Sequence, residues 1–176
     1  MIKLLTIFFY LLPSFIFSQN GNLPVNVENK LQKELKEHFS NYNNKSLVVL
    51  DSKTVSLLSD DTDVVYTLKD ASSTTIGYAY IGKSKSKVSY FDYVVIFDKN
   101  MIISKVKVLV YREDHGFEIT HKRWLSQFIG FNSSQSILFK KDISAISGAT
   151  ISATSLTNAV NNVLQCMHQL KLTKVI

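Results

Sequence analysis

One cysteine, Cys166, stands in 176 residues, and its isolation closes off two chemistries. A lone thiol forms no internal disulfide and supplies no cysteine-based zinc or iron–sulfur site within one chain. Its place in a predicted helix reads as a packed thiol. A strong charge excess is also missing. With residues 1–18 set aside, 19 basic residues face 14 acidic ones, a net +5. The lysines lie scattered from Lys83, Lys85 and Lys87 to Lys140 and Lys141, a solvated surface and not a nucleic-acid footprint. There is no internal repeat and no long linker, so the chain reads as one ordinary domain with a substantial core. A nucleophile elbow is absent too, since Ser147 does not stand in a G-x-S-x-G frame.

What the N-terminus holds is an apolar run from Leu4 to Phe17, broken by Thr6, Pro13 and Ser14 and preceded by Lys3. It is too short to span a bilayer comfortably. With Ser18 before a cut at Gln19 it reads as a signal peptide over residues 1–18, although Ile16 matches an A-x-A site poorly; the alternative is an uncleaved anchor. Either way the protein is expected outside the cytoplasm, periplasmic or membrane-associated, which argues further against a nucleic-acid partner.

Residues 19–70 read as an N-terminal helix and lead-in. Leu31, Leu35 and Phe39 recur every four residues and predict an amphipathic helix over Pro24–Phe39, followed by Asn- and Ser-rich sequence. Val64–Leu68, Thr75–Ile81, Val88–Phe97 and Met101–Tyr111 read as strands, the last two joined in a hairpin at Asp98-Lys99-Asn100. Val88–Phe97 is apolar on both faces and therefore interior. In Met101–Tyr111, Val106, Val108 and Val110 alternate with Lys105 and Lys107, as in a half-exposed strand. A short helix over Thr120–Ile129 should end at Gly130, a strand is expected around Ile137–Phe139, and a last helix over Ser152–Leu170. The fold class is α+β: one domain, a largely antiparallel sheet, with N-terminal and C-terminal helices flanking it.

Two stretches compete for function. Gly77-Tyr78-Ala79-Tyr80-Ile81-Gly82-Lys83-Ser84 matches the phosphate-loop pattern G-x4-G-K-S, but its interior looks like strand and no helix follows, so the context fails. Ala145-Ile146-Ser147-Gly148-Ala149-Thr150-Ile151-Ser152 gathers small and hydroxylated residues just before the last helix. Gly148 permits positive φ, small neighbours permit close approach, and Thr150 falls where orphan N–H groups and the helix dipole favour an anion. The plain alternative is that Ser147, Thr150 or Ser152 caps the helix. Trp124, Tyr78 and Phe117 are candidates to stack on a ring and equally candidates for the core. His115, among Glu113, Asp114 and Glu118, reads as a solvated loop, and no metal is assigned.

Ser147-Gly148-Ala149-Thr150 resembles the S/T-G-A-T motif of the FMN-binding domain family, found in flavin-bearing subunits of the Na+-translocating NADH:quinone reductase and of the Rnf complex. The chain also keeps that family's order: Gly77-Tyr78, the hairpin, Glu113-Asp114-His115-Gly116-Phe117-Glu118 for an E-T-x-G-x-G segment, Gln127-Phe128-Ile129-Gly130 for Q-F-x-G, and then SGAT. Asp114 and Glu118 depart from the pattern at its threonine and second glycine. The resemblance implies an FMN-binding domain over 71–176 with FMN joined to Thr150 by a phosphodiester. It also implies Ser147, Gly148, Ala149, Ser152, Glu113 and Gly116 around the cofactor, and an FAD:protein FMN transferase as partner. The implied role is electron transfer between a membrane-associated donor and acceptor, in a flavoprotein without a substrate or catalytic residues of its own. The alternative is a flavin-free binding or regulatory module of the same fold.

Overall fold

The computed structural model describes residues 23–50, 55, 56, 58, 60 and 62–176, so the signal-peptide expectation lies outside the described residues. Its frame is an antiparallel sheet in the order β1-β2-β3-β4-β5, so consecutive strands are neighbours: β1 (Asn44–Leu47), β2 (Val64–Lys69), β3 (Thr75–Lys85), β4 (Tyr90–Asp98) and β5 (Ile103–Val110). Helix α1 (Val25–His38) covers one face, and α3 (Thr150–Leu172) covers the other.

Alternation along each strand builds two cores from one sheet. Val64, Tyr66, Leu68, Ala79, Ile81, Val94 and Ile96 face α1, where Val27, Leu31 and Leu35 are wholly buried. Val65, Tyr80, Phe91, Tyr93, Val95 and Phe97 face α3, which answers with Leu156, Val160, Val163, Leu164, Met167 and Leu170. Burying each large aliphatic side chain is worth roughly 1.5–3 kcal/mol. The double covering explains β4, in which every residue from Phe91 to Phe97 is buried. The α+β expectation holds, with helices flanking the sheet at both ends of the chain.

Several local expectations are corrected. In β5, Lys105 and Lys107 do not face water freely, because both pair with Glu34 of α1. Burial alone would raise the Glu34 pKa; the two lysines outweigh it and hold the carboxyl below its usual range. Phe39 is the C-cap of α1 and not a further turn of its stripe. The Asn- and Ser-rich stretch contains β1, a four-residue edge strand shaped by pairing with β2 more than by propensity.

The strand expected at Ile137–Phe139 does not form. Ile137 lends its N–H and C=O to the side-chain amide of Asn161 at 2.7 Å each, and a single bridge joins Phe139 to Ile143. The Thr120–Ile129 helix is broken into a 3-10 turn over Phe117–Thr120, the short α2 (Lys122–Leu125) and a second 3-10 turn over Ser126–Phe128. Gly130 stops it as expected, with φ +95°. Gly77–Ser84 lies inside β3, which rules out a phosphate loop there.

Candidate functional site

The site forms where β3 and β5 end and α3 begins. Gly148 has φ +81°, a left-handed conformation that favours glycine, and a Cβ on it would meet no other atom of the described chain within 4 Å. Ala149 is the N-cap of α3 and packs into the core, 2 % exposed.

Among the described residues no side chain caps the start of α3. Thr150, the first residue of this 23-residue helix, is exposed, and its hydroxyl donates back to the Ile146 carbonyl at 3.2 Å. Ser152 is buried and shares hydrogen bonds with Ser86 Oγ at 2.7 Å and Tyr111 Oη at 3.2 Å. Ser147 is exposed and stands outside the cleft lining. The capping alternative is therefore not realised, and the first-turn N–H groups keep their need for an acceptor.

Beside them opens a cleft of about 560 Å³, within the range of small-molecule sites. Residues 86–88, 113, 115, 116 and 148–152 line it. One wall is the turn between β3 and β4, closed by Ser86 N–H on the Ser89 carbonyl at 2.8 Å. Glu113 Oε1 accepts from the Val88 and Ser89 amides of that turn at 2.9 and 2.7 Å. Those two amides, Ser89's foremost, hold the Glu113 carboxyl below the usual carboxylate range. Its neighbour Arg112 donates to the Tyr90 carbonyl at 2.9 Å and to the buried Asp92, so the chain leaving β5 is tied to β4 on both sides.

The opposite wall depends on Gly116. Its φ is +78°, and a Cβ there would stand 2.7 Å from Tyr111 Oη. Both demands need glycine. Tyr111 is the residue that sequence reasoning missed: its hydroxyl donates to the His115 carbonyl at 2.8 Å and meets Ser86 Oγ at 3.0 Å. One phenol thus joins the end of β5, the β3–β4 turn, the Gly116 loop and the start of α3. Nothing in its spacing marks it.

The remaining candidates separate cleanly. Glu113, Gly116, Gly148, Ala149, Thr150 and Ser152 come together at the cleft. Asp114 and Glu118, the two departures from the family pattern, are exposed and outside its lining. Trp124 belongs to the core, its indole N–H on the Ser144 carbonyl at 2.8 Å and its ring edge-on to Phe128. Tyr78 is packed against the α3-side core, while Phe117 is exposed and meets Tyr111 edge-on at 6.3 Å. Cys166 is wholly buried, and burial pushes its thiol up to about 12.

Residues 90–165 match the model of the FMN-binding domain family. No curated protein matches the chain. The matched stretch runs from the first residue of β4 nearly to the end of α3, and it contains Tyr111, Glu113, Gly116 and the whole Ser147–Thr150 motif. Over this stretch the chain is similar to the FMN-binding domain family, which supports a flavin-binding role.

Proposed function

We propose that the protein is an exported electron-transfer flavoprotein whose FMN is esterified to Thr150. The observation that carries this reading is the uncapped start of α3: an exposed threonine hydroxyl beside N–H groups without side-chain acceptors, opening on a cleft of about 560 Å³.

The residues present suit a flavin nucleotide. Orphan amides and the helix dipole favour a phosphate. Lys87 adds a cation on the cleft wall, and Val88 and Ile151, 81 % and 56 % exposed, offer apolar surface that water covers poorly. Gly148 sets the turn that presents Thr150. Ser86, Ser152 and Tyr111 keep their hydroxyls bonded to one another and so hold the floor still. Attachment by a transferase joins Thr150 Oγ to the FMN phosphorus of FAD, breaks the phosphoanhydride and releases AMP, the hydroxyl proton passing to solvent. When bound, the flavin supplies one- and two-electron transfer, while the protein fixes its orientation and surroundings. A covalent tether suits an exported carrier, because a cofactor held only by equilibrium is diluted outside the membrane.

Co-expression with an FAD:protein FMN transferase tests this. The chain should gain flavin absorbance and the mass of one FMN residue on the peptide containing Thr150, and Thr150→Ala should lose both. A colourless, unmodified chain beside an active transferase would defeat the proposal.

A further inference from the structure

The Glu113 carboxylate faces the turn that forms the cleft wall, and that turn carries the wall's only lysine. We propose that residues 86–89 form a clamp on the nucleotide end of the flavin, latched by Glu113 and carrying Lys87 as counter-charge to the phosphate. This deepens the reading above and rests on it.

Three observations converge. First, the turn is held at both ends: Ser86 Oγ bonds Ser152 Oγ of α3, and the Val88 and Ser89 amides bond Glu113, which follows β5. Second, Lys87 stands between two hollows that flank Thr150. One is the cleft already described, and the other is lined by Lys85, Ser86, Lys87, Thr150, Thr154 and Asn158, among others. Among the described residues no carboxylate lies within ion-pair distance of Lys87. Glu113 is close enough for its charge to be felt, but its Oε1 is committed to the turn amides. An exposed cation with no ion-paired carboxylate among the described residues, held beside a helix start without a cap, is suited to a phosphate monoester or diester. Third, Val88 follows Lys87 directly and is the most exposed large apolar residue of the described chain. Closing the turn over a bound ring would remove that surface from water.

Glu113 is thus a positioning residue. Its action on the cofactor runs through the turn that it holds.

The latch is read on the unloaded chain by amide hydrogen exchange. Glu113→Ala should speed exchange at Val88 and Ser89 at least tenfold while the sheet amides keep their rates; Glu113→Gln, which retains the acceptor oxygen, should recover most of the protection. Unchanged exchange at these two amides in Glu113→Ala overturns the latch. The counter-charge is read on Thr150→Ala, which cannot be esterified, by NMR titration with free FMN and with riboflavin, which lacks the phosphate. FMN should shift the Lys87 and Ile151 amides more than riboflavin does. Lys87→Met should weaken FMN about threefold to fivefold and leave riboflavin unchanged, with Lys87→Arg restoring it, as expected of one exposed ion pair. Equal shifts for both ligands, or none for either, overturn the Lys87 assignment. Neither measurement uses esterified protein, so failure of the transferase reaction refutes the Thr150 ester without touching the clamp.

Discussion

Substituting alanine at Gly116 and at Gly148 separates two reasons for a glycine. Both have positive φ, +78° and +81°, so either alanine takes on about 1–2 kcal/mol of left-handed strain. At Gly148 the cost should stop there, because the added methyl meets nothing within 4 Å. At Gly116 the methyl would lie 2.7 Å from Tyr111 Oη, and the phenol must move. That weakens its hydrogen bonds to the His115 carbonyl, Ser86 and Ser152. At about 1 kcal/mol net for each bond lost, losing two brings Gly116→Ala to about 3–4 kcal/mol. The double mutant decides the matter. Tyr111→Phe removes the oxygen that collides, so in that background Gly116→Ala should cost only its strain, a coupling of about 2 kcal/mol. Urea unfolding of the unloaded chain measures all four variants, read as a change of midpoint at constant slope. Equal costs at the two glycines, or strict additivity in the cycle, would refute the account of Gly116 and with it the place of Tyr111 in the site.

Three further outcomes are expected. Tyr93 is buried and its hydroxyl has no hydrogen-bond partner among the described residues, so Tyr93→Phe should be neutral or stabilising; Tyr80 donates to the buried Asp63 at 2.8 Å, and Tyr80→Phe should cost about 1–3 kcal/mol by chemical denaturation. Acid should destabilise the fold in two stages. Burial, followed by the charge of Lys105, lowers the His38 pKa, so its contribution is present above the ordinary histidine value and lost as pH falls below it. Glu34, also lowered, contributes above the ordinary carboxylate value, and that is lost at more acid pH; His38→Gln should flatten only the first stage of a midpoint-against-pH curve. Cys166 should resist a thiol reagent in the native protein and react fully in urea, and rapid labelling without denaturant would contradict its burial.

Periodicity revealed what depends on it. The α1 stripe at Leu31 and Leu35, the buried β4, the hairpin and the long ridge of α3 were legible because each buries a repeating face. The Ser147–Thr150 motif was legible as the turn that leads into a helix start. What escaped rests on single tertiary contacts. Asn161 satisfies Ile137 in place of a strand, and no local pattern announces a side chain acting as backbone partner. Lys105 and Lys107 alternate like solvent-facing residues because their partner, Glu34, arrives from about seventy residues earlier. Glu113 was placed at the site by resemblance, yet its bonds to Val88 and Ser89 become visible only when β3 and β5 end side by side. Tyr111 looked like the last letter of a strand.

The double covering of the sheet limits how far the chain can be shortened. A fragment trimmed to residues 90–165 would keep β4, β5 and most of α3 but discard β3, which pairs with β4 from Gly77–Asp98 to Lys85–Tyr90. It would also lose α1, stripping the cover from Val94 and Ile96. Such a two-stranded remnant would present a raw, apolar edge to its neighbours and clump before it could meet any cofactor. The smallest foldable unit must therefore reach back to α1, well ahead of the segment that carries the family's signature.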